Sequence, residues 1–494
     1  MSWDPARREH AAWIWIYRLV VLYFIGLRLW FDFAVNPMGD EAYYWIWGQH
    51  PQWSFFDHPP LHAWLLGIVA SVLGWSPFAL RILTLFTLAG SLGILWGFAR
   101  RLAPDNTEQW FWKSAAIFMT MPVVFIFTTP AFHDHLLAFL MLASCFCALE
   151  FALRMEADRR VALRWFYAAA VLAGLATLTK YNGILLAFGL AAFLVIHPRL
   201  RRLWATPHPY LAVLVIAAIQ LPVLIWNVQE QFATLTFHFI ERPDSNWSRI
   251  DWLGPVKFLL LMAIPLGPFF LIGAVIMLFR RPVPEAQRTA RVLAISIFAI
   301  STLCLATVAL YRDIFLHWNI AAFMALAAIG PMVIGRKWLL LPQIALALYM
   351  GSVAGWNYAV VPMRSPIFYD PGTAANYGWP EVGEAVREAT AAHPGSILAA
   401  TRYTYAAQLA FALHDPQVTA FNPLPSQYDF WWNADANRGR DAIVVADRLF
   451  NIDFTASQFA KVTKLDEVQV MRADRHVWTF DIYLAEDYDP AQPD

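Results

Sequence analysis

Long apolar runs recur along most of the chain, and they constrain its fold more than any other feature of the sequence. Eleven of them are long enough to cross, or nearly cross, a hydrocarbon core of about 30 Å. They span about 12–31, 78–99, 114–129, 135–153, 165–179, 183–197, 209–227, 257–279, 291–310, 319–335 and 338–356. Backbone polar groups cannot be left bare in lipid, so each run is predicted to be a helix. The sequence therefore predicts a polytopic α-helical membrane protein with about 11–13 transmembrane helices.

The composition excludes an ordinary soluble protein. Hydrophobic residues make up 59% of the 494 residues and charged residues only 15%, whereas soluble domains carry about 25% charged residues. So much apolar surface needs a bilayer to cover it. The first run follows Arg7 and Arg8 without a small-residue cleavage site behind it, so we expect a retained helix rather than a signal peptide.

Basic residues fall in alternate connections between the runs, which predicts the orientation of the chain. The clusters alternate correctly if there are eleven full crossings and if a shorter apolar segment, 61–75, does not traverse the membrane. The N-terminus is then cytoplasmic and the C-terminus lies outside. The outside connections are 32–60, 130–134, about 180–182, 228–256, 311–318 and everything after 356.

The charge balance divides the chain into two predicted domains. Residues 1–356 contain 26 Lys/Arg and 18 Asp/Glu, whereas residues 357–494 contain 10 and 18. The first part is predicted to be a transmembrane domain carrying the outside loop 32–60, and the second a soluble α/β domain. Strand patterns occur at 396–400, 418–421, 442–446, 461–472 and 476–484, and helical periodicity at 379–392 and 403–413.

Ionisable side chains gather on the outside connections. Such groups are costly at membrane depth, by about 2.5–3.5 kcal/mol on insertion scales, and usually face an interior or a polar cavity. We therefore predict one outward-facing cavity, in which cations neutralise a phosphate and a carboxylate takes a proton from a hydroxyl. The candidates are Asp40, Glu41, Asp57, His58, Asp134, Lys180, Tyr181, Glu241, Arg242 and His317.

Several of these residues also suit purely structural roles. Asp40 and Asp134 could each cap a helix, and Lys180 could extend along apolar surface towards water. Glu241 and Arg242 could pair only with each other, and His317, like His62, also suits a structural histidine. No cofactor is required by the pattern, and a divalent metal is compatible with it. The metal ligands stay unassigned, because His133, Asp134 and His135 are consecutive and cannot all point at one ion.

The order of these motifs resembles the membrane glycosyltransferases of the C superfamily (GT-C). Asp40-Glu41 precedes an aromatic helix, a Pro59-Pro60 pair follows, and Asp134 and Thr179-Lys180-Tyr181 come later. The closest groups are the protein O-mannosyltransferase-like enzymes and the lipid A aminoarabinose transferases. Further motifs resemble the bacterial branch that includes lipid A and core galacturonosyltransferases: Gly378-Trp379-Pro-Glu381, Arg402-Tyr403-Thr-Tyr405-Ala406, Ser426-Gln427-Tyr428-Asp429-Phe-Trp431 and Gly439-Arg440-Asp441-Ala442.

The resemblance implies an enzyme of the bacterial inner membrane that moves a sugar from a polyprenyl-phosphate donor to an acceptor in the periplasm, with inversion. Asp40 matches the acidic residue that serves as base or site organiser, and Asp134 matches the second acidic position. His58 stands where the aminoarabinose enzymes have a lysine, which leaves open whether His58 or Lys180 holds the donor phosphate.

The expected partners are the lipid-linked donor, the bilayer and an acceptor, which is a lipid A or core glycolipid, another envelope glycan, or a protein; no nucleic acid is expected. In the hypothesis, Asp40 deprotonates the acceptor with support from Glu41 or Asp134, and the cations stabilise the leaving phosphate. Two competing classes of function make different predictions. An outward-facing transporter or flippase predicts polar residues that reach the inner side, and a non-catalytic scaffold gives no reason for the clustered acids and bases.

Overall fold

The computed structural model describes residues 5–238, 250–280, 284–363 and 370–490, which are mostly helical. The chain divides into two compact units. The first unit comprises Met1–Trp30, His58–His62 and Ile82–Ser352, and the second Phe31–Asp57, Ala63–Arg81 and Val353–Asp494. Contacts thus group most of the predicted first outside loop with the C-terminal part of the chain, and the predicted domain boundary at residue 356 stays a prediction.

Nineteen helices are described before residue 360. They are α1 (Pro5–Ala34), α2 (Gly39–Gln49), α3 (Leu61–Leu73), α4 (Pro77–Leu102), α5 (Thr107–Met119), α6 (Pro122–Thr128), α7 (His133–Arg154), α8 (Arg159–Thr179), α9 (Ile184–Ile196), α10 (His208–Ile219), α11 (Leu221–Gln229), α12 (Ala233–Thr236), α13 (Gly254–Leu261), α14 (Ala263–Leu266), α15 (Pro268–Leu278), α16 (Glu285–Val308), α17 (Ile320–Ala327), α18 (Gly330–Val333) and α19 (Lys337–Ala359). Short 3-10 helices lie at Pro104–Asn106, Tyr181–Gly183 and Arg201–Ala205.

Within the described residues, six helices are long and apolar enough to cross a membrane, namely α1, α4, α7, α8, α16 and α19. Three bent pairs, α5 with α6, α10 with α11, and α13–α14 with α15, raise the number to nine. The polytopic helical fold predicted from the sequence is confirmed. Helix α3 has 13 residues, about 20 Å of helix, too short to cross a hydrocarbon core of about 30 Å as a straight helix. The count of eleven crossings and the orientation stay predictions.

The sharpest of these bends separates α14 from α15 by 111°. Gly267 lies at the break with a φ of +83°, a conformation that glycine adopts without steric cost. Pro268 follows it and cannot donate a backbone hydrogen bond. Gln343 of α19 approaches the break and donates from Nε2 to the backbone oxygens of Leu266 at 3.2 Å and Thr120 at 2.9 Å. One buried amide thus serves carbonyl groups at two helix breaks.

Helix α7 is the central helix of the first unit. In its most apolar window 72% of residues are buried, against 39–50% in the other five long helices. It packs against α8, α16, α17 and α6. Residues at the start of α7 are therefore shielded on several sides, and its first three residues are His133, Asp134 and His135.

The C-terminal part of the second unit is built around a five-stranded sheet of order β2-β1-β3-β5-β4. Strands β2 and β3 run parallel to β1, whereas β5 is antiparallel to both β3 and β4. The strands are β1 (Ile397–Ala400), β2 (Thr419–Ala420), β3 (Ala442–Ala446), β4 (Phe459–Arg472) and β5 (Arg475–Tyr488), and the helices are α20 (Pro371–Ala374), α21 (Trp379–Ala392), α22 (Tyr403–Leu413), α23 (Ala434–Asn437) and α24 (Asp453–Ala456), with a 3-10 helix at Gln427–Phe430. The predicted α/β fold of this part is confirmed.

Candidate functional site

A buried ion pair joins Asp134 to Lys180 in the first unit. Lys180 lies in the connection after α8, and its Nζ donates to Asp134 Oδ1 at 3.0 Å and Oδ2 at 2.8 Å. The side chain of Asp134 is only 3% exposed and that of Lys180 only 12%. Because an isolated charge is very costly in such surroundings, each of these groups stabilises the other. The structure therefore brings together two predicted site residues that are far apart in the chain.

Four histidines cluster near the start of α7, where Asp134 lies. His133 and His135 flank Asp134 along α7, and His62 Nε2 lies 3.1 Å from His135 Nε2. The ring of His133 lies 4.7 Å from that of His62 and 4.5 Å from that of His58, centroid to centroid. From the sequence, His62 suited a structural role. In the structure it belongs to this cluster together with His58.

The connection after α8 is tied to the segment before α17. Asn182 Nδ2 donates to the backbone oxygen of Trp318 at 2.9 Å. Tyr181 is half-buried, with its ring centroid 5.6 Å from that of His238. His317 is half-buried beside Phe127, at 4.6 Å between ring centroids. His317 also lies close enough to act electrostatically on Asp134, so this predicted residue is near the ion pair.

The second unit contains another buried ion pair, between Glu41 and Arg81. Arg81 Nε donates to Glu41 Oε1 at 2.8 Å and Nη2 donates to Oε2 at 2.6 Å. Glu41 Oε2 also accepts the backbone N–H of Met38 at 3.0 Å, which fixes the start of α2. Both side chains are fully buried. This geometry favours a structural role for Glu41, for which the sequence suggested a catalytic one.

Asp40, by contrast, is half-exposed in the first turn of α2. Helix α22 packs on α2, and its first residue, Tyr403, lies close to this carboxylate. Burial, and next the charge of Asp40, hold the pKa of the Tyr403 phenol well above its ordinary value, and Asp57 adds to the effect. The neighbouring Arg402 opposes them. The charges of two predicted site residues, Asp40 and Asp57, therefore both act on the phenol of Tyr403. The sequence analysis did not single out Tyr403.

The 3-10 helix at Gln427–Phe430 contacts the segment 32–60, which the sequence predicts to be the first outside loop. The Gln427 backbone N–H donates to Tyr43 Oη at 2.6 Å, and Gln427 Oε1 accepts the backbone N–H of Phe56 at 2.7 Å. The rings of Tyr43 and Tyr428 stack, with centroids 5.8 Å apart. These contacts pack the 3-10 helix against the segment 43–56.

The predicted site residues thus fall into two groups. Asp40, Glu41 and Asp57 belong to the second unit, whereas His58, Asp134, Lys180, Tyr181 and His317 belong to the first. That both groups meet in one cavity stays a prediction. Glu241 and Arg242 lie outside the described residues. Over the ranges that the structure describes, no group of three His, Cys, Asp or Glu side chains is arranged to hold a metal ion.

Two known proteins or families are similar to this chain in sequence. Residues 57–226, about a third of the chain, match the family model described as dolichyl-phosphate-mannose-protein mannosyltransferase. The lipid A galacturonosyltransferase RgtD of Rhizobium johnstonii is 26% identical over 331 residues, which cover 64% of this chain and 66% of RgtD, just under two thirds.

The whole fold also resembles solved membrane enzymes. ArnT from Cupriavidus metallidurans, bound to undecaprenyl phosphate, superposes with a TM-score of 0.60 at 16% identity, covering 96% of this chain and 98% of ArnT. The oligosaccharyltransferase of Archaeoglobus fulgidus gives a TM-score of 0.50 at 14% identity, over 89% of this chain and 69% of that one. These similarities show a shared fold.

Proposed function

We propose that this chain, a membrane glycosyltransferase of the GT-C fold as the sequence predicted, transfers a sugar from a polyprenyl-phosphate-linked donor to an acceptor of the cell envelope. The similarity to RgtD favours a lipid A or core glycolipid as acceptor over another glycan or a protein. The undecaprenyl phosphate bound to ArnT supports the class of donor. We place the reaction on the periplasmic face of a bacterial inner membrane, with the N-terminus in the cytoplasm.

The observation that carries the proposal is the buried Asp134–Lys180 pair. A lysine ammonium has three N–H donors, and Asp134 accepts two of them. Lys180 donates to no other atom that the structure describes, so one donor is left for a ligand. A phosphate oxygen suits the remaining N–H, because it is an anionic acceptor that forms a strong, charge-assisted hydrogen bond with an ammonium. We therefore assign Lys180 to the donor phosphate, with His58 as a second contact.

Asp40 is the proposed base or site organiser. It is half-exposed, whereas the adjacent Glu41 has both oxygens engaged by Arg81 and the Met38 backbone. In the proposed step the acceptor hydroxyl attacks the anomeric carbon and passes its proton to Asp40. The bond between that carbon and the phosphate oxygen breaks, so the configuration inverts. The polyprenyl phosphate leaves with the electron pair and is stabilised by Lys180.

The test uses the full chain in nanodiscs with a radiolabelled polyprenyl-phosphate sugar and lipid A as acceptor. The measured quantities are the transfer of label to the acceptor and the release of polyprenyl phosphate. Asp40→Asn should reduce both rates by about 10²–10⁴-fold, the usual contribution of a general base. Lys180→Met should reduce them by about 10²–10³-fold, as loss of a donor to developing charge does.

Each variant has a matched control. Lys257 forms an exposed ion pair with Asp251 at 2.8 Å, so Lys257→Met removes a similar pair outside the proposed site. Asp435 is an exposed carboxylate on α23, and Asp435→Asn controls for loss of one negative charge. Both controls should transfer sugar at the wild-type rate. Wild-type turnover by Asp40→Asn would refute the proposed role of Asp40. Movement of intact donor across the membrane without release of polyprenyl phosphate would show that the protein is a transporter.

A further inference from the structure

Three buried histidines near the ion pair have no role in the proposed reaction. His62, His133 and His135 are 0%, 1% and 2% exposed, respectively. Buried imidazoles are polar and are retained in proteins when hydrogen bonds satisfy them. His135 contacts both Thr87 and His62. These contacts determine which ring nitrogens carry protons, and they suggest a role for the three histidines.

Thr87 of α4 fixes the tautomer of His135. Thr87 Oγ1 lies 3.1 Å from the backbone oxygen of Thr84, an atom that can only accept, so the single hydroxyl proton of Thr87 is donated there. The same Oγ1 lies 3.0 Å from His135 Nδ1. With the hydroxyl proton directed to Thr84, His135 donates its Nδ1–H to Thr87. The Nε2 of a neutral His135 is then an acceptor.

The tautomer of His135 in turn fixes that of His62. Their Nε2 atoms are 3.1 Å apart, and a hydrogen bond between them holds one proton. Since His135 Nε2 accepts, His62 donates its Nε2–H. The reversed chain, in which His135 Nε2 donates to His62, would require Thr87 to donate its proton to His135 Nδ1 instead of to Thr84.

We propose that Thr87, His135 and His62 form a relay of fixed tautomers that positions His133, and through it His58, for contact with the donor phosphate. The ring of His133 packs on that of His62 at 4.7 Å and stacks on that of His58 at 4.5 Å with 28° between the planes. The relay is a positioning device, because its members reach the proposed phosphate site only through His133 and His58. The inference rests on the proposed function, since it assigns His58 to the donor.

Arg28 anchors the other end of the relay. Its Nη1 donates to the backbone oxygen of Thr84 at 3.2 Å, the atom that also accepts the Thr87 proton. Its Nη2 donates to Thr128 Oγ1 at 2.7 Å, at the end of α6. Helix α6 leads into α7, where His133 and His135 lie. The relay therefore connects α4 to the start of α7 through groups that are buried at both ends.

The first test reads the tautomers directly. The full chain, labelled with ¹⁵N-histidine and reconstituted in liposomes, is measured by solid-state NMR, where protonated and bare ring nitrogens have separate shifts. The wild type should show His135 protonated at Nδ1 and His62 at Nε2. Thr87→Val removes the hydroxyl at similar volume and should alter the His135 signals, whereas Thr87→Ser keeps the hydroxyl and should restore them. A wild-type His135 protonated at Nε2, or unchanged signals in Thr87→Val, would overturn the relay.

The second test reads the consequence for ligand binding. Undecaprenyl phosphate is titrated onto the three proteins in nanodiscs, after their thermal unfolding has shown that each is folded. The dissociation constant should rise about three- to ten-fold in Thr87→Val, the effect of one lost hydrogen bond, and return in Thr87→Ser. A changed tautomer with unchanged affinity would overturn the positioning role. If the wild type did not bind undecaprenyl phosphate, the proposed donor would be wrong, and the tautomer signals alone would decide the relay.

Discussion

Asp40 and Glu41 are adjacent carboxylates, yet their surroundings predict opposite consequences for the two amide substitutions. Glu41→Gln should destabilise the fold and leave the folded molecules active. Asp40→Asn should leave the stability unchanged and abolish sugar transfer. The two variants therefore distinguish the structural role of Glu41 from the proposed catalytic role of Asp40, although the two residues are adjacent in the chain.

The magnitude for Glu41 follows from its contacts. Its two oxygens accept three hydrogen bonds, two from Arg81 at 2.6 and 2.8 Å and one from the Met38 backbone at 3.0 Å. A glutamine keeps one acceptor oxygen and turns its NH₂ group towards donors, while Arg81 remains buried without a counter-charge. Breaking such a pair by removing one partner costs about 3–5 kcal/mol. Asp40 is half-buried and asparagine fills the same space, so its substitution should change the free energy of unfolding far less, by about 1 kcal/mol or less.

The assay measures both quantities on the same preparations. The free energy of unfolding is obtained by titrating purified protein in mixed micelles with a denaturing detergent, and transfer is measured per folded molecule. Arg81→Met should cost at least as much stability as Glu41→Gln, because Arg81 also donates to the backbone oxygens of Val35 at 2.7 Å and Asn36 at 3.1 Å. Glu41→Gln with wild-type stability and no transfer would refute the reasoning.

Two further substitutions test the packing of the chain by thermal unfolding in detergent. Gln343→Leu leaves two buried carbonyl groups at the helix breaks without a donor and should lower the free energy of unfolding by about 2–6 kcal/mol, at about 1–3 kcal/mol for each. Gly378→Ala places a methyl group 2.2 Å from Val470 at a φ of +86° and should cost more than Gly395→Ala, which has a similar φ of +87° but open space around it. Equal losses in the two alanine variants would show that backbone strain alone matters.

The two long helices and all five strands of the C-terminal part were predictable from the sequence, whereas its short helices α20, α23 and α24 were not. Helices at 379–392 and 403–413 and the strand at 442–446 were predicted at the bounds that the structure has. Helical and strand periodicities differ clearly in a polar background, and glycine precedes several of the elements. Gly378, for example, precedes the helix that begins at Trp379 with a φ of +86°.

The membrane part was predictable in its segments and not in its breaks. The run 257–279 was predicted as one crossing, and the structure divides it sharply at Gly267. Mean hydropathy is blind to such a break, because the residues on both sides are equally apolar. The Gly267-Pro268 pair was a usable signal, since it combines a flexible residue with one that lacks a backbone donor. The sequence did not reveal that Gln343 would donate a hydrogen bond to the carbonyl group of Leu266 at this break.

The pairing of charges was the part of the site least accessible from the sequence. Asp134 and Lys180 were both proposed as site residues, but their direct contact depends on how α7 and α8 pack. Glu41 was assigned to chemistry with Asp40 because the two are adjacent. The overlooked signal was Arg81, a charge inside the apolar run 78–99, which had to find a counter-charge somewhere in the fold.

The two buried ion pairs differ in how completely their hydrogen-bonding capacity is used, and this difference indicates which one serves a ligand. Arg81 has five N–H groups, and the oxygens of Glu41, Val35, Asn36 and the end of α1 accept all of them. A saturated pair gains nothing from a further partner, so it is retained for the fold alone. Lys180 donates only to Asp134 among the described residues and keeps one N–H in reserve. Asp134 neutralises the charge of Lys180 and leaves the third N–H group unused. A phosphate that binds there would therefore add a hydrogen bond and would not replace one. Binding of undecaprenyl phosphate should therefore be lost in Lys180→Met and persist in the folded fraction of Glu41→Gln.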